Sequence, residues 1–248
     1  MVRRRFFFRR LARGAGVVAL ALASVFFVLV ALYAFAPPVS TLMLARLIEG
    51  RGYERIYVRL RDIAPVAAAS VIASEDARFC SNDGVDWGAL HEALNGAEGP
   101  RRGASTITMQ TAKNLFLWPG RSWWRKGLEV YFTALLELTW SKRRIMETYL
   151  NIVEWGPGVY GAEAAARYHF HKSAADLTPE EAARLAAVLP NPRRWSASRP
   201  TGYILGHAGV IRARMPEVPA GNPPPCGWPE ARVSFWAQLP DLLKQVRR

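Results

Sequence analysis

The sequence predicts a mainly α-helical protein behind one N-terminal transmembrane helix. Three observations carry that expectation. An uncharged run of 23 residues, Gly14 to Ala36, follows an arm (residues 1–13) with six Arg and no acid. Beyond it, apolar residues recur at helical spacing in segment after segment. Strand-like alternation is confined to a short hairpin expected near Tyr53–Arg61.

Each element follows in order. At about 1.5 Å per residue, residues 14–36 reach roughly 34 Å, enough to cross a bilayer core. A cleaved signal peptide is the competing reading, with Ala34-Phe35-Ala36 as a small-x-small site, but its apolar core is normally only about 7–15 residues. The run therefore reads as a signal anchor. The Arg-rich arm places the N-terminus in the cytoplasm and the chain after Pro37 outside. Residues 37–64 form a juxtamembrane connector whose apolar run, Val39 to Ile48, is expected against the bilayer surface. Helical patterns then cover 65–79, 86–95, 104–116, 122–150, 161–170 and 178–189. Thr178-Pro-Glu-Glu181 is a helix opening, with a Thr cap, Pro at the first position and acids in the first turn. One domain is expected over 65–215. Residues 216–248 form a Pro- and Gly-rich tail (PEVPAGNPPPCGWP) with a short terminal helix.

The 248 residues carry a net charge of +13, of which the arm supplies +6. The remaining +7 suits phosphate-bearing partners, namely nucleic acid, anionic lipid or a phosphorylated substrate. No nucleic-acid-binding motif is present, and a tethered domain outside the cytoplasm would meet none. Arg outnumbers Lys 28 to 5, so compositional bias accounts for part of the charge. Two cysteines exclude a disulfide-rich scaffold and an all-cysteine zinc site.

The chemistry concentrates in Ile72 to Trp87, IASEDARFCSNDGVDW. Pro65 opens a helix whose Ala68, Ile72 and Phe79 share an apolar stripe, and Glu75 and Asp76 fall on its flanks. Carboxylates are costly there unless paired or used. Further on, Lys113, Arg121, Arg125 and Lys126 place four positive charges and no acid in 14 residues. Arg125 and Glu129 also stand at i, i+4, where an ordinary helix ion pair is the simpler reading.

SEDARFCSNDG resembles the first signature of the peptidoglycan glycosyltransferases, Glu-Asp-x-x-Phe-x-x-His-x-Gly. GASTITMQTAKNLFL (103–117), RKGLE (125–129), KRRIMETYLN (142–151) and RLAAVL (184–189) resemble the remaining four, in the same order. The resemblance covers residues ~60–215. No Ser-x-x-Lys occurs and no length is left for a transpeptidase, so the chain resembles the monofunctional biosynthetic branch, family 51.

That resemblance implies a lysozyme-like domain polymerising lipid II into β-1,4-linked glycan with release of polyprenyl pyrophosphate. It implies Glu75 as the base for the acceptor's 4-hydroxyl. Glu129 is implied on the pyrophosphate side, where it can take a divalent cation, Mg or Mn. No organic cofactor is implied. Asp76, Phe79, Ser105, Thr106, Gln110, Lys113, Asn114, Arg121, Arg125 and Lys126 are implied in substrate binding, although Ser or Thr at a helix start is often only a cap. Trp118, Trp123 and Trp124 suit a jaw at the head-group zone, with buried core as the alternative. The implied partners are lipid II, the growing glycan, inner-membrane lipid and cell-wall synthesis proteins. The implied location is the bacterial inner membrane, single-pass, with the catalytic domain periplasmic.

Pyrophosphate is already a good leaving group that needs cations rather than a proton, so the basic cluster favours a synthase over a lytic enzyme. A lytic enzyme on the same fold and an inactive membrane-anchored scaffold are the alternatives. Two positions depart from the signatures, Asn82 in place of His and Met109 in place of Gln. Cys80 and Cys226 are expected to form a disulfide that ties the tail to the first catalytic helix. A buried Cys80 with a free Cys226 is the alternative.

Overall fold

The computed structural model describes residues 2–87, 105–120, 122–218 and 226. The chain divides into two compact units, Met1–Pro37 and Pro38–Arg248. The first is built on helix α1 (Val2–Tyr33), which turns Val17, Leu20 and Val28 outward. Among the described residues no helix is long and apolar enough to cross a membrane.

The second unit opens with α2 (Thr41–Ile48), capped by Ser40, which accepts from the Met43 amide at 3.2 Å. Strand β1 (Glu54–Arg55) follows, then α3 (Pro65–Glu75). Val71 and Ile72 on α3 are fully buried, and truncating such a side chain to Ala costs about 2–5 kcal/mol. Helix α3 stops four residues short of the predicted end. Asp76 leaves helical geometry (φ −160°, ψ 77°) because its carboxylate is drawn to groups outside the helix.

Helix α4 (Ile107–Phe116) starts three residues after the predicted 104, with Thr106 accepting from the Met109 amide at 3.1 Å. The pattern over 122–150 resolves into two helices, α5 (Trp123–Thr139) and α6 (Lys142–Ile152). Trp140 and Ser141 between them are extended, and Ser141 accepts from the Arg144 amide at 3.2 Å, so a cap interrupts a continuous apolar pattern.

Strands β2 (Glu154–Gly156) and β3 (Val159–Tyr160) form the hairpin of a small sheet ordered β1-β3-β2. The hairpin expected near Tyr53–Arg61 is instead one strand, β1, which runs parallel to β3 with Glu54 opposite Val159. Helix α7 (Ala162–Phe170) begins at Gly161, whose φ of +85° brings a Cβ within 3.1 Å of the Asn151 carbonyl. Only glycine fits that turn without strain.

Helix α8 (Pro179–Val188) has the expected Thr178 cap, completed by Glu181 reaching back to the Thr178 amide at 2.9 Å. Helix α9 (Gly202–Arg214) was not anticipated. The core has two lobes. Helix α8 packs against α3 and α9, while α4 packs against α5 and α6. Almost all of the helix expected over 86–95 and the terminal helix lie outside the described residues.

Candidate active site

The two lobes meet where α3 ends and α4 begins. Glu75, the last residue of α3, is half-buried, with Oε2 accepting from Nε2 of Gln110 at 2.8 Å and Oε1 from Ser74 at 3.3 Å. Gln110 lies one turn into α4, and its carbonyl Oε1 accepts from the Tyr149 hydroxyl at 3.2 Å. Tyr149 is fully buried on α6, and desolvation, reinforced by Glu75 and Asp76, raises its pKa well above the usual tyrosine value. It therefore stays a neutral donor and fixes which end of the Gln110 amide faces Glu75.

The basic cluster lies on α4 and the first turns of α5. Arg125 donates to Glu129 Oε2 at 3.0 Å, and Lys126 donates to Glu129 Oε1 at 2.7 Å and to Ser105 at 3.4 Å. Glu129 is buried, and removing one partner from such a pair costs about 3–5 kcal/mol. The helix ion pair expected at i, i+4 is thus present, and it lies inside the cluster. The Lys113 ammonium has no hydrogen bond or ion pair among the described residues. Desolvation lowers its pKa, Glu129 opposes that shift, Arg125 and Lys126 add to it, and Glu75 opposes it. Its ammonium is thus within electrostatic reach of both glutamates. Three cations less one carboxylate leave the cluster at +2. The buried Nε of Arg125 lacks a partner among the described residues.

Lys113 and Arg125 line a cavity of about 330 Å³, with Asn114, Thr41 and Trp118 also on its wall. Trp118 and Trp124 are exposed, and the side chain of Trp123 lies outside the described residues, as does Arg121.

Several residues expected to face substrate turn inward instead. Asp76 is buried, its two oxygens accepting from Asn82 at 2.8 Å and from the Ile107 amide at 3.0 Å. Phe79 is completely buried, with the Lys142 ammonium 4.7 Å from its ring centre. Thr106 is buried too, capping α4 and donating its hydroxyl to the Gly84 carbonyl. Asp76 and Thr106 thereby bond backbone amides at the start of α4. Met109, at the departure from the second signature, is buried in the core.

Cys80 and Cys226 are joined, with Cα atoms 5.3 Å apart. Both oxygens of Glu129, the residue implied for a divalent cation, accept from cationic side chains. Among the described residues no group of three His, Cys, Asp or Glu could hold a metal.

Sequence reasoning missed Lys142, Glu137 and Tyr149. Lys142 and Tyr149 stand seven residues apart on α6, two helical turns, and that spacing was the available signal. Other polar residues of α6 brace the scaffold. Glu147 accepts from Tyr57 and the Leu60 amide at 2.6 and 2.8 Å, and Asn151 bonds both backbone groups of Val58.

Comparison with known proteins gives a consistent result. Residues 42–216 match the family model described as Transglycosylase. A biosynthetic peptidoglycan transglycosylase of Rhodospirillum centenum is 55% identical over 210 residues, covering 83% of this chain and 91% of that protein. Proteins with the same description are 50% identical in Agrobacterium fabrum, over 84% of this chain and 93% of the relative, and 51% identical in Pseudomonas entomophila, over 73% and 80%.

Proposed function

The chain belongs to the transglycosylase family and is a peptidoglycan glycosyltransferase, and from that premise we propose how its site joins lipid II to a growing glycan. The observation that carries this reading is Lys113, whose ammonium has no hydrogen-bond or ion-pair partner among the described residues, lines a cavity with Arg125 and interacts electrostatically with both glutamates. Glu75 takes the proton of the acceptor's 4-hydroxyl as that oxygen attacks the anomeric carbon of the growing chain. The bond from that carbon to the pyrophosphate oxygen breaks. Lys113, Arg125 and Lys126 meet the developing negative charge, in a partly desolvated site where such contacts count for more than in water. Glu129 holds Arg125 and Lys126 in register for that task.

The single-pass anchor, with a cytoplasmic N-terminus and a periplasmic domain, belongs to the same proposal. Its support is the uncharged sequence Gly14–Ala36, most of it within α1, behind an arm of six Arg. In the second unit, Leu44, Leu47 and Ile48 on α2 and Trp124, Leu128 and Tyr131 on α5 are exposed. They suit contact with lipid, from which the substrate arrives.

Incubating the purified full chain with lipid II tests the reaction. We expect muramidase-sensitive polymer and released polyprenyl pyrophosphate. Release of muropeptides from purified sacculi without polymer would favour the lytic alternative.

A further inference from the structure

The loop after Glu75 is tied down by a buried polar chain. Lys142, 9% exposed, donates to Glu137 Oε1 at 2.6 Å and to Asn82 Oδ1 at 2.9 Å. Asn82 donates from Nδ2 to Asp76 Oδ1 at 2.8 Å, and Asp76 Oδ2 accepts from the Ile107 amide at the start of α4. Thr108 donates to Glu137 Oε1 at 2.6 Å, closing the circuit on α4. Gly84, at the tip of the loop, has φ +85°, and a Cβ there would lie 2.4 Å from the Glu137 side chain. Four elements are thus stitched together beside Glu75, and in this circuit Asn82 is the neutral side chain that bridges the Lys142 cation to the Asp76 carboxylate.

We propose that Asn82 is a positioning residue, holding Asp76, and through it Glu75 and the start of α4, by accepting from Lys142 while donating to Asp76. This rests on the reading of Glu75 as the base. A carboxamide carries an acceptor oxygen and a donor NH₂ on one side chain and does not titrate; here the oxygen accepts from Lys142 and also from the Gly84 amide at 3.0 Å. A neutral imidazole can match that pattern, but a protonated one brings a second donor against Lys142. A carboxylate would accept from Lys142 yet oppose Asp76. Among the described residues, the charged groups around the amide include Lys142 from α6, Glu137 from α5, and Asp76, Asp86 and its partner Arg78 from the loop and its start.

The test compares wild type with Asn82→Asp and Asn82→His, reading kcat and KM for lipid II polymerisation and melting temperature from pH 5 to 9. For Asn82→Asp we expect kcat to fall about 10-fold or more above neutrality with KM little changed, since slight misplacement of a reacting group can cost about 10²-fold. Its kcat and melting temperature should recover toward wild type on acidification, as the new carboxyl and Asp76 come to share a proton. For Asn82→His we expect near-normal kcat at alkaline pH and a new loss on the acid side, near the ordinary histidine pKa of about 6.5. Wild-type kcat in Asn82→Asp at every pH, or a melting deficit in that variant that does not change with pH, would overturn the proposal. Inactive wild type would sink the functional reading instead, and the pH dependence of that melting deficit would still decide whether the relay exists.

Discussion

Nε2 of Gln110 stands 2.8 Å from Oε2 of Glu75, while the other end of the same amide accepts from Tyr149. The carboxylate can only accept, so Gln110 must present its NH₂, and the Tyr149 hydroxyl enforces that choice. A base oriented this way keeps its other oxygen, which among the described residues accepts only from Ser74 at 3.3 Å, for the incoming hydroxyl.

Tyr149→Phe removes that enforcement while keeping the buried ring. We expect kcat to fall several-fold with KM unchanged and little loss of stability, because a neutral hydrogen bond contributes only about 0.5–1.5 kcal/mol. Steady-state kinetics on lipid II check it. A raised KM at normal kcat would place Tyr149 in substrate binding instead.

Lys113 should set the alkaline side of the pH profile. Its pKa lies below the ordinary lysine value because of desolvation, so it loses its charge as pH rises, at lower pH than a solvated lysine would. Activity should decline on the basic side accordingly. Lys113→Arg, which keeps its charge throughout, should extend activity to higher pH. Lys113→Ala should lower turnover across the range without unfolding the domain. The kcat/KM profiles of the three proteins decide this, and identical basic limbs would remove Lys113 from the pyrophosphate side.

The Cys80–Cys226 bridge closes a loop with a sequence separation of 146 residues. The chain-entropy model gives it up to ~5 kcal/mol of stabilisation. Protein exported to an oxidising compartment and denatured without reductant should label no thiol, then two after reduction, with a lower melting temperature in reductant. Two labelled thiols before reduction would contradict the bridge.

The caps made the helix starts readable. Thr106, Ser122, Ser141 and Thr178 each accept from the backbone amide three residues on, although Ser141 was passed over because apolar residues continue on both sides of it. Helix α9 escaped notice because Gly202, Gly206 and Gly209 interrupt it and Tyr203, Leu205 and Val210 are exposed, which blurs its buried stripe. The site was legible as a set of residue types but not as a division of labour. Asn82 and Lys142 are 60 residues apart in sequence, and nothing local shows that they meet. Asp76 and Phe79 sit in the signature beside Glu75, and nothing in the sequence shows that both side chains are buried.

Glu75→Gln is the most direct test of the account. The change keeps shape and removes the base, whose contribution is typically about 10²–10⁴-fold. Lipid II polymerisation by the variant should fall to that extent while binding of lipid II is largely retained. A variant retaining more than about a tenth of the wild-type rate, well outside that range, would contradict the assignment of Glu75 as the base.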